Sequence, residues 1–411
     1  MKVSIARALQ WVYVPMAVSI AITACGSDRA GETAAAVWDT LPNGAVHVSY
    51  SQLATTPHVR VEANLHLGSA NGEGEAVFGE IRGIDVDHEG RILVLDYQAS
   101  ELKAFDANGR FLELLAKSGE GPREITRANG IWVDSENGIW IDDHDRNRLT
   151  RLLPDGEVET YERIVPGSGY LTTGGVTRDG RIWAEQSHSD RPPGPPSAGV
   201  YHSDARMYYK SLDPATGTFD SVFIGPATYH SIAMTTTHGG GVAQIPFSAE
   251  RLDVLDPAGF IWTGISDRYL LTKLSTSGDT LLVVEASVDA PLVTDTERDE
   301  AIDHIEGFAK RIGASLSVDW DELLPERKPI LEQLIVDDEG NLWVQRVTAD
   351  GHVFDVFDGS GKCLATVEPN FDFASYFPPV IRGGDMYALQ LDSLDVPYVV
   401  RGYVGELRRR G

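Results

Sequence analysis

The stretch DVDHEGRILVLD, at Asp85–Asp96, decides how the rest of the chain is interpreted. Its acidic residues and its glycine nearly match the spacing of an EF-hand calcium loop, in which oxygen ligands surround a cation beside a glycine turn. The same letters also describe two β-strands joined by a tight Asp-x-x-Gly turn. In that turn Gly90 supplies a positive φ, and the side chain of Asp87 caps the backbone.

The turn recurs along the chain, and the repeat decides between the two interpretations. The segment that begins at Gly72 aligns without a gap with the segment that begins at Gly119, an offset of 47 residues. Four more copies, TRDGRIWAE, LDPAGFIWTG, VDDEGNLWVQ and IRGGDMYALQ, begin at Thr177, Leu255, Val336 and Ile381. Where the first copy has Asp85, other copies have Trp132, Val254 and Ile335. The sequence therefore predicts a hairpin at Asp85–Asp96 and not a calcium loop.

Each of the first five copies is followed by a second alternating hairpin, such as ELKAFDANGRFLELL after the first. The unit is therefore four antiparallel strands, A to D, and six units predict an all-β, six-bladed β-propeller. The last copy has only three strands before the chain ends. The segment Val59–Leu67 aligns with a strand D, so we expect this N-terminal strand to complete the last blade and close the ring.

These motifs resemble those of six-bladed propellers of the NHL and TolB-like type, in particular bacterial lipoproteins that carry such a domain. The likeness rests on the G-x-G lead-ins at Gly72 and Gly119 and on the six turns, and it covers roughly Val59–Val404. Propellers of this class serve as scaffolds, binders, lactonases and lyases. The resemblance therefore implies the fold and leaves the activity open.

The N-terminus has the features of an export signal. Lys2 and Arg7 precede the apolar run Trp11–Ala24, which is too short to span a bilayer comfortably, and Cys25 follows. The ending ITAC resembles a bacterial lipoprotein box, which implies that Cys25 is acylated; the alternative is an ordinary signal peptide with an unrelated cysteine. By the same resemblance, Gly26 favours the outer membrane over the inner membrane.

The expected organisation has four parts. They are a signal peptide at 1–24, a lipid-attached tether and N-terminal segment at 25–56, the propeller at 57–407 and a basic tail at 408–411. Long insertions are expected at about 186–206, 225–249 and 294–330, all in B–C or D–A connections and therefore on one face of the disc. The last should contain a helix between blades 4 and 5, capped by Thr294 or Asp295.

Charge and cysteine content limit the partners. The formal charge of −26 argues against a nucleic-acid partner, because such proteins need a basic footprint. If Cys25 is acylated, Cys363 is the only other cysteine and no intrachain disulfide can form. Its strand-like surroundings predict a small buried side chain.

Two groups of residues are candidates for a functional site. Asp142, Asp143, His144 and Asp145 gather three acids and a histidine in the expected B–C loop of blade 2, where they form either a cation site or a solvated acidic loop. Arg82, Arg127 and Asn129 begin inner strands near the axis, where similar lactonases hold a metal and a substrate. Only Asn129 matches that site, loosely and in type alone. Motifs for a nucleophile elbow, a P-loop or a zinc protease are missing from the sequence.

The sequence supports two functional hypotheses. The first is a lipid-anchored cell-envelope module that binds or scaffolds a protein, peptide or glycan through its loop-bearing face and touches the membrane through its lipid alone. The alternative is a metal-dependent, lactonase-like hydrolase or lyase with calcium or zinc in the central channel. No cofactor is firmly implied, because the sequence does not show converging ligands.

Overall fold

The computed structural model describes residues 36–53, 59–70, 74–164, 174–189, 198–236, 239–349, 351–405 and 407. The predicted signal, Cys25 and the basic tail lie outside these residues. The described chain is all-β with few helices, and none of its helices has the length and apolar character needed to cross a membrane.

Twenty-nine strands lie in the described ranges. The first eight are β1 (Ala36–Thr40), β2 (Val46–Tyr50), β3 (Val59–Val61), β4 (Ala63–Leu67), β5 (Ile81–Val86), β6 (Ile92–Asp96), β7 (Glu101–Phe105) and β8 (Phe111–Ser118). The next ten are β9 (Glu124–Ile125), β10 (Ile131–Val133), β11 (Ile139–Asp143), β12 (Arg148–Leu152), β13 (Val158–Glu162), β14 (Gly175–Val176), β15 (Ile182–Ser189), β16 (Gly199–Asp213), β17 (Thr218–Thr236) and β18 (Gly239–Gln244). The last eleven are β19 (Arg251–Leu255), β20 (Ile261–Ile265), β21 (Leu270–Leu274), β22 (Thr280–Ala286), β23 (Leu331–Val336), β24 (Leu342–Thr348), β25 (Gly351–Phe357), β26 (Cys363–Pro369), β27 (Val380–Arg382), β28 (Asp385–Leu391) and β29 (Pro397–Tyr403). Helices α1 (Asp295–Ile312) and α2 (Trp320–Leu323) follow β22.

These strands form six separate sheets, numbered here in chain order. Sheet 1 is β5 to β9, sheet 2 is β10 to β13, and sheet 3 is β14 to β18. Sheet 4 is β19 to β22 with β2 and β1 added outside β22; sheet 5 is β23 to β26 with β3, and sheet 6 is β27 to β29 with β4. Consecutive strands pair antiparallel through most of each sheet, as expected for strands joined by short turns.

Apolar clusters lie between neighbouring sheets and hold the architecture together. One cluster joins sheets 1 and 2 through residues such as Leu95 and Ile141, and comparable clusters join sheets 2 and 3, 3 and 4, 4 and 5, and 5 and 6. A further cluster joins sheet 6 to sheet 1, with Leu389 and Val399 against Ile84 and Phe105. Each sheet therefore buries both of its faces, one against each neighbour, which gives a propeller-like arrangement.

The opening stretch is a hairpin, as predicted. β5 and β6 pair antiparallel, and Oδ1 of Asp87 accepts the backbone N–H groups of Glu89 and Arg91 at 3.0 and 2.9 Å. Gly90 has a φ of 78°, which the turn requires. The same side-chain cap recurs at Asp134, Asp256 and Asp337, so the repeated aspartate serves the turn.

The N-terminal strands are distributed over three sheets. β4 pairs antiparallel with β29, so chain segments from the two ends share sheet 6. Val59–Val61, predicted as part of the same strand, instead pairs parallel with β26 in sheet 5. The chain therefore crosses from one sheet to the next at Glu62. β2 was not predicted, and it pairs parallel with β22 in sheet 4.

The expected loops of sheet 3 are largely strands. β15, β16 and β17 extend the sheet outward through much of 186–206 and 225–236, and β18 adds an edge strand. Helix α1 begins with a capping box, in which Thr294 is the N-cap and exchanges hydrogen bonds with Glu297. The helix packs on β18, where a Cβ at Gly241 would lie 2.8 Å from Phe308.

Candidate functional site

A central cavity of about 700 Å³ is lined by the first strand of every sheet: β5, β10, β14, β19, β23 and β27. At one level of the repeat, the strands contribute Asp85, Trp132, Gly175, Val254, Ile335 and Val380. The six positions hold five different residue types, with valine in both sheets 4 and 6, although the backbone register repeats. The chemistry of the cavity therefore comes from side chains that are not shared by all copies of the repeat.

The end of the cavity at the A–B turns is crossed by hydrogen bonds between sheets. The guanidinium of Arg178 in sheet 3 donates to the carbonyl of Asp338 in sheet 5 at 3.0 Å, and its backbone N–H donates to Pro257 at 2.8 Å. The hydroxyl of Ser135 in sheet 2 donates to the carbonyl of Arg178 at 3.3 Å. These bonds tie sheets 2, 3, 4 and 5 together at the turn end.

The carboxylates of the cavity already have partners. Asp85 accepts the backbone N–H groups of Val86 and Val133 at 2.8 and 2.7 Å, and it lies 3.5 Å from Arg382. Burial raises the pKa of Asp85, and Arg382 opposes that shift. Asp253 pairs with Arg251 at 2.7 Å, and burial raises its pKa too.

A third carboxylate that lines the cavity belongs to Glu332. It accepts a hydrogen bond from the Gln345 amide at 2.9 Å and pairs with His352 at 3.1 Å, which raises the pKa of that histidine. Among the described residues, no three His, Cys, Asp or Glu side chains are grouped so that they could hold a metal ion. The cavity wall thus combines carboxylates that have fixed partners with apolar side chains such as Trp132, Val254 and Ile335.

The predicted channel residues come together around Tyr97. The guanidinium carbon of Arg82 lies 5.0 Å from the centre of the Tyr97 ring, and that of Arg127 lies 4.8 Å from it. Both distances are typical of cation–π contacts. Nε of Arg82 also donates to Glu80 at 2.6 Å.

Asn129 lines a second cavity of about 370 Å³ beside the first. The residue is 3% exposed, and its Oδ1 has no hydrogen-bond partner among the described residues. Arg82, Tyr376 and Phe377 line both cavities, so the two share a wall. Of the three residues proposed from the sequence, Arg82 lines both cavities, Asn129 lines the second, and Arg127 contacts the wall only through the ring of Tyr97.

The second predicted group is placed differently from the expectation. Asp142 and Asp143 lie at the buried end of β11 and not in a loop, and His144–Arg146 form a 3₁₀ turn. Asp142 makes a two-pronged ion pair with Arg163, at 2.6 Å from Nε and 3.1 Å from Nη2. Burial raises the pKa of Asp142 against the effect of this arginine.

Asp143 likewise has an arginine partner, Arg148, at 3.0 Å. Its position follows from the 47-residue repeat, because it aligns with Asp96. Oδ2 of Asp96 accepts the N–H of Gly79 at 2.8 Å, and Oδ2 of Asp143 accepts the N–H of the aligned Thr126 at 3.3 Å. The repeat could have identified this structural role from the sequence.

Other chemically active side chains lie away from the cavity. Nδ1 of His202 and Nδ1 of His230 are 2.7 Å apart on paired strands of sheet 3, and both residues are exposed or nearly so. Cys363 is half-buried beside the core of sheets 4 and 5, and burial raises the pKa of its thiol to about 12. Such a thiol is a poor nucleophile at neutral pH.

Comparisons with known proteins support the fold class. A family model described as a 6-bladed beta-propeller matches residues 73–151, which are part of sheets 1 and 2. No curated protein matches the chain in sequence.

Several solved structures are similar over most of the chain. A putative exported protein from Bacteroides fragilis is 13% identical, with 88% of this chain and 100% of that chain covered and a TM-score of 0.45. A gluconolactonase from Xanthomonas campestris is 14% identical, with 79% and 86% covered and a TM-score of 0.40. An inactive virginiamycin B lyase from Staphylococcus aureus is 11% identical, with 82% and 87% covered and a TM-score of 0.38. The activities in these names belong to those proteins.

Proposed function

We propose that the protein is an exported, lipid-anchored binding module of the cell envelope that takes a peptide or glycan ligand into its central cavity. The observation that carries the proposal is the cavity itself, which receives a strand from every sheet and has its polar groups fixed by neighbours. Preorganised donors and acceptors around a cavity of this size favour binding of a small polar ligand.

We further propose that the six sheets are the blades of a closed ring of the NHL and TolB-like type. The cluster between sheets 6 and 1 and the pairing of β4 with β29 support this arrangement. The insertion with α1 and the outer hairpins of sheet 3 would then surround the open end of the cavity.

Binding is favoured over metal-dependent hydrolysis because of the state of the carboxylates. Asp85 uses its oxygens for two backbone N–H groups, and one oxygen of Asp253 pairs with Arg251. A divalent cation requires several oxygen or nitrogen ligands that are directed at one point. Asp85 would have to leave its partners before it could act as such a ligand.

The anchor is proposed from the sequence alone. The basic residues, apolar run and Cys25 of the N-terminus support export and acylation, and Gly26 supports the outer membrane. Replacement of Cys25 by Ala is expected to move the protein from the membrane fraction to the soluble fraction after cell lysis. Retention in the membrane fraction would contradict the lipid anchor.

The binding function is tested by filling the cavity. The Val254→Trp variant places an indole in sheet 4 at the position that aligns with Trp132 of sheet 2. Because the repeat already carries tryptophan at this position once, the fold should tolerate the substitution. We expect wild type to bind members of an array of synthetic peptides and envelope oligosaccharides, and the variant to lose that binding at least tenfold. Val37→Trp, at an exposed site on β1, is the matched control and should bind as wild type does.

The metal-dependent alternative has a direct test of its own. Metal content is measured on protein purified without chelator, and thermal unfolding is followed with and without EDTA. We expect no stoichiometric metal and an unchanged melting temperature. Bound calcium or zinc together with a chelator-sensitive melt would favour the hydrolase or lyase.

A further inference from the structure

We propose that His202 and His230 form a binding site for a divalent transition-metal ion of the zinc, nickel or copper class. The two residues lie on the outward extension of sheet 3, on strands β16 and β17, and neither of them lines the central cavity. The inference goes beyond the proposed binding function and does not depend on it.

The first argument is the distance between the two imidazole rings. His202 and His230 are directly opposite each other in the ladder of β16 and β17, and their Nδ1 atoms are 2.7 Å apart. Histidine nitrogens bind zinc at about 2.0–2.1 Å, so two of them on one ion lie about 2.9 Å apart at a right angle and about 3.3 Å apart at a tetrahedral angle. A small outward movement of the rings therefore places both Nδ1 atoms at ligand distance from one ion.

The second argument is the chemistry of the contact between the rings. A contact of 2.7 Å between two Nδ1 atoms is a hydrogen bond, in which one ring carries a proton on Nδ1 and the other ring accepts it. When the donor ring carries its proton on Nε2 instead, both Nδ1 atoms present lone pairs to the same point. A metal ion can occupy that point, and the proton stays on its own imidazole.

The third argument is the frame that holds the pair. β17 pairs with β16 on one side and with β18 on the other, and the carbonyl of His230 accepts the N–H of Ile245 at 2.9 Å. Ile232 follows His230 by two residues, so it lies on the same face of β17, and it is buried in the apolar cluster under α1. Because the backbone on both sides of the pair is fixed, metal binding has little conformational entropy to remove.

The fourth argument is the set of available ligands, which selects the type of ion. Imidazole nitrogen suits zinc, copper and nickel, whereas calcium and magnesium require several oxygen ligands. In the part of the chain that the structure describes, no third His, Cys, Asp or Glu side chain completes a metal-binding group. Asp204 is the next residue along β16 on this face, and its Oδ1 accepts a hydrogen bond from Thr228 at 2.8 Å. The ion would therefore keep coordination positions for water or for an external ligand.

An ion with two protein ligands exchanges with the solution more readily than an ion with three or four. The site should therefore be empty after purification without added metal, in agreement with the expectation of no stoichiometric metal given above. Zinc that is retained in a His202→Gln variant would belong to another part of the molecule. This variant thus separates the histidine pair from a metal centre in the cavity.

The test is isothermal titration calorimetry on protein without a polyhistidine tag, with zinc chloride, nickel chloride and calcium chloride titrated separately. We expect a saturable site for one zinc or nickel ion per chain and no response to calcium. In a parallel zinc titration of protein labelled with ¹⁵N-histidine, the imidazole signals of His202 and His230 should change together. Each signal is identified by its absence from the corresponding glutamine variant.

Variants and a control complete the experiment. His202→Gln and His230→Gln should each weaken zinc binding by about tenfold or more, because each removes one of the two ligands. His188→Gln removes an exposed histidine on β15 of the same sheet and should have no effect. Circular dichroism checks that the variants fold, which is expected because the two histidines are exposed or nearly so. Zinc binding that does not saturate, that changes only one of the two signals, or that His202→Gln leaves unchanged would overturn the site.

Discussion

Sheets 1 and 2 align residue for residue at an offset of 47, yet they differ inside. Both keep the turn aspartate, as Asp87 and Asp134, because the backbone of each turn needs the same acceptor. Sheet 1 has Leu95 in the apolar cluster, whereas sheet 2 has Asp142 at the aligned position, paired with Arg163. At the cavity the acidic residue lies in sheet 1 instead, because sheet 1 has Asp85 where sheet 2 has the apolar Trp132.

The difference separates two kinds of polar residue. The aspartates that cap the repeated turns recur with the repeat, whereas Asp142, which pairs with Arg163, occurs once. The second kind fixes a connection that belongs to one sheet, as the pair with Arg163 fixes the chain that leaves β13. Sequence periodicity therefore identifies the first kind and does not identify the second.

The largest effect is expected when sheet 2 is made to resemble sheet 1 at Asp142. Asp142→Leu leaves the guanidinium of Arg163, whose side chain is 1% exposed, buried without its carboxylate. We expect a loss of about 3–5 kcal/mol in the free energy of unfolding, measured by urea denaturation. Asp142→Leu combined with Arg163→Met should recover most of it. Equal losses in the single and double variants would show that the ion pair is not the cause.

Removing the aspartate that caps each turn should reduce the free energy of unfolding by less than Asp142→Leu does, and by different amounts in the two sheets. Asp134→Ala removes the acceptor of two backbone N–H groups, of Arg151 and of the indole N–H of Trp140 at 2.7 Å. Asp87→Ala breaks no hydrogen bond to an indole, because sheet 1 has Leu93 at the position that aligns with Trp140. We expect losses of about 2–3 kcal/mol for Asp134→Ala and about 1–2 kcal/mol for Asp87→Ala. With Trp140→Phe already present, the extra cost of Asp134→Ala should shrink towards that of Asp87→Ala.

A pH-dependent effect should distinguish Asp85 from Trp132. The folded protein raises the pKa of Asp85 above 3.8, so the folded state holds this proton more tightly than the unfolded state. Its contribution to stability is therefore greatest below about pH 3.8 and declines as the pH rises through the folded pKa. Relative to Asp85→Asn, wild type should lose stability between pH 3 and 7, as measured by denaturation at each pH. A difference that is constant with pH would contradict the raised pKa.

The smallest effects are expected at the two aligned turn positions, Gly90 and Asn137. Both adopt a positive φ, at 78° and 62°. A Cβ at Gly90 would meet no atom within 4 Å, so Gly90→Ala should cost only the backbone strain, about 1 kcal/mol. Asn137→Gly should change stability by less than about 1 kcal/mol, since asparagine tolerates this conformation. A larger loss at Asn137 would point to its side-chain bond with the N–H of His88.

Much of the fold was predictable because the signals are local. The Asp-x-x-Gly turns and alternating strands fix each hairpin within about a dozen residues, and Thr294 with Glu297 marks the start of α1. β2 was not predicted and β3 was assigned to the wrong sheet, because a parallel pairing with a distant strand leaves no signature in a short segment. The hairpin after the third copy was predicted, but the extensions of β15, β16 and β17 beyond it were missed, since the prolines beside them suggested a loop.

The candidate site was predictable only in part. Arg82, Arg127 and Asn129 were identified from their positions at the starts of inner strands. The meeting of Arg82 and Arg127 at Tyr97 depends on tertiary packing, and no sequence pattern encodes it. The burial of Asp142 depends on Arg163, which follows it by 21 residues and matches nothing in the aligned repeat.

The short N-terminal strands also protect the protein from aggregation with other copies of itself. Without β2 and β3, the outer strands β22 and β26 would present rows of unpaired N–H and C=O groups to solvent. Exposed rows of this type recruit strands from other molecules and begin aggregates. Proteolytic clipping before Ala63 would therefore expose the edges of two sheets and also remove the buried side chains of Val48, Tyr50 and Val61 from the cores beside them.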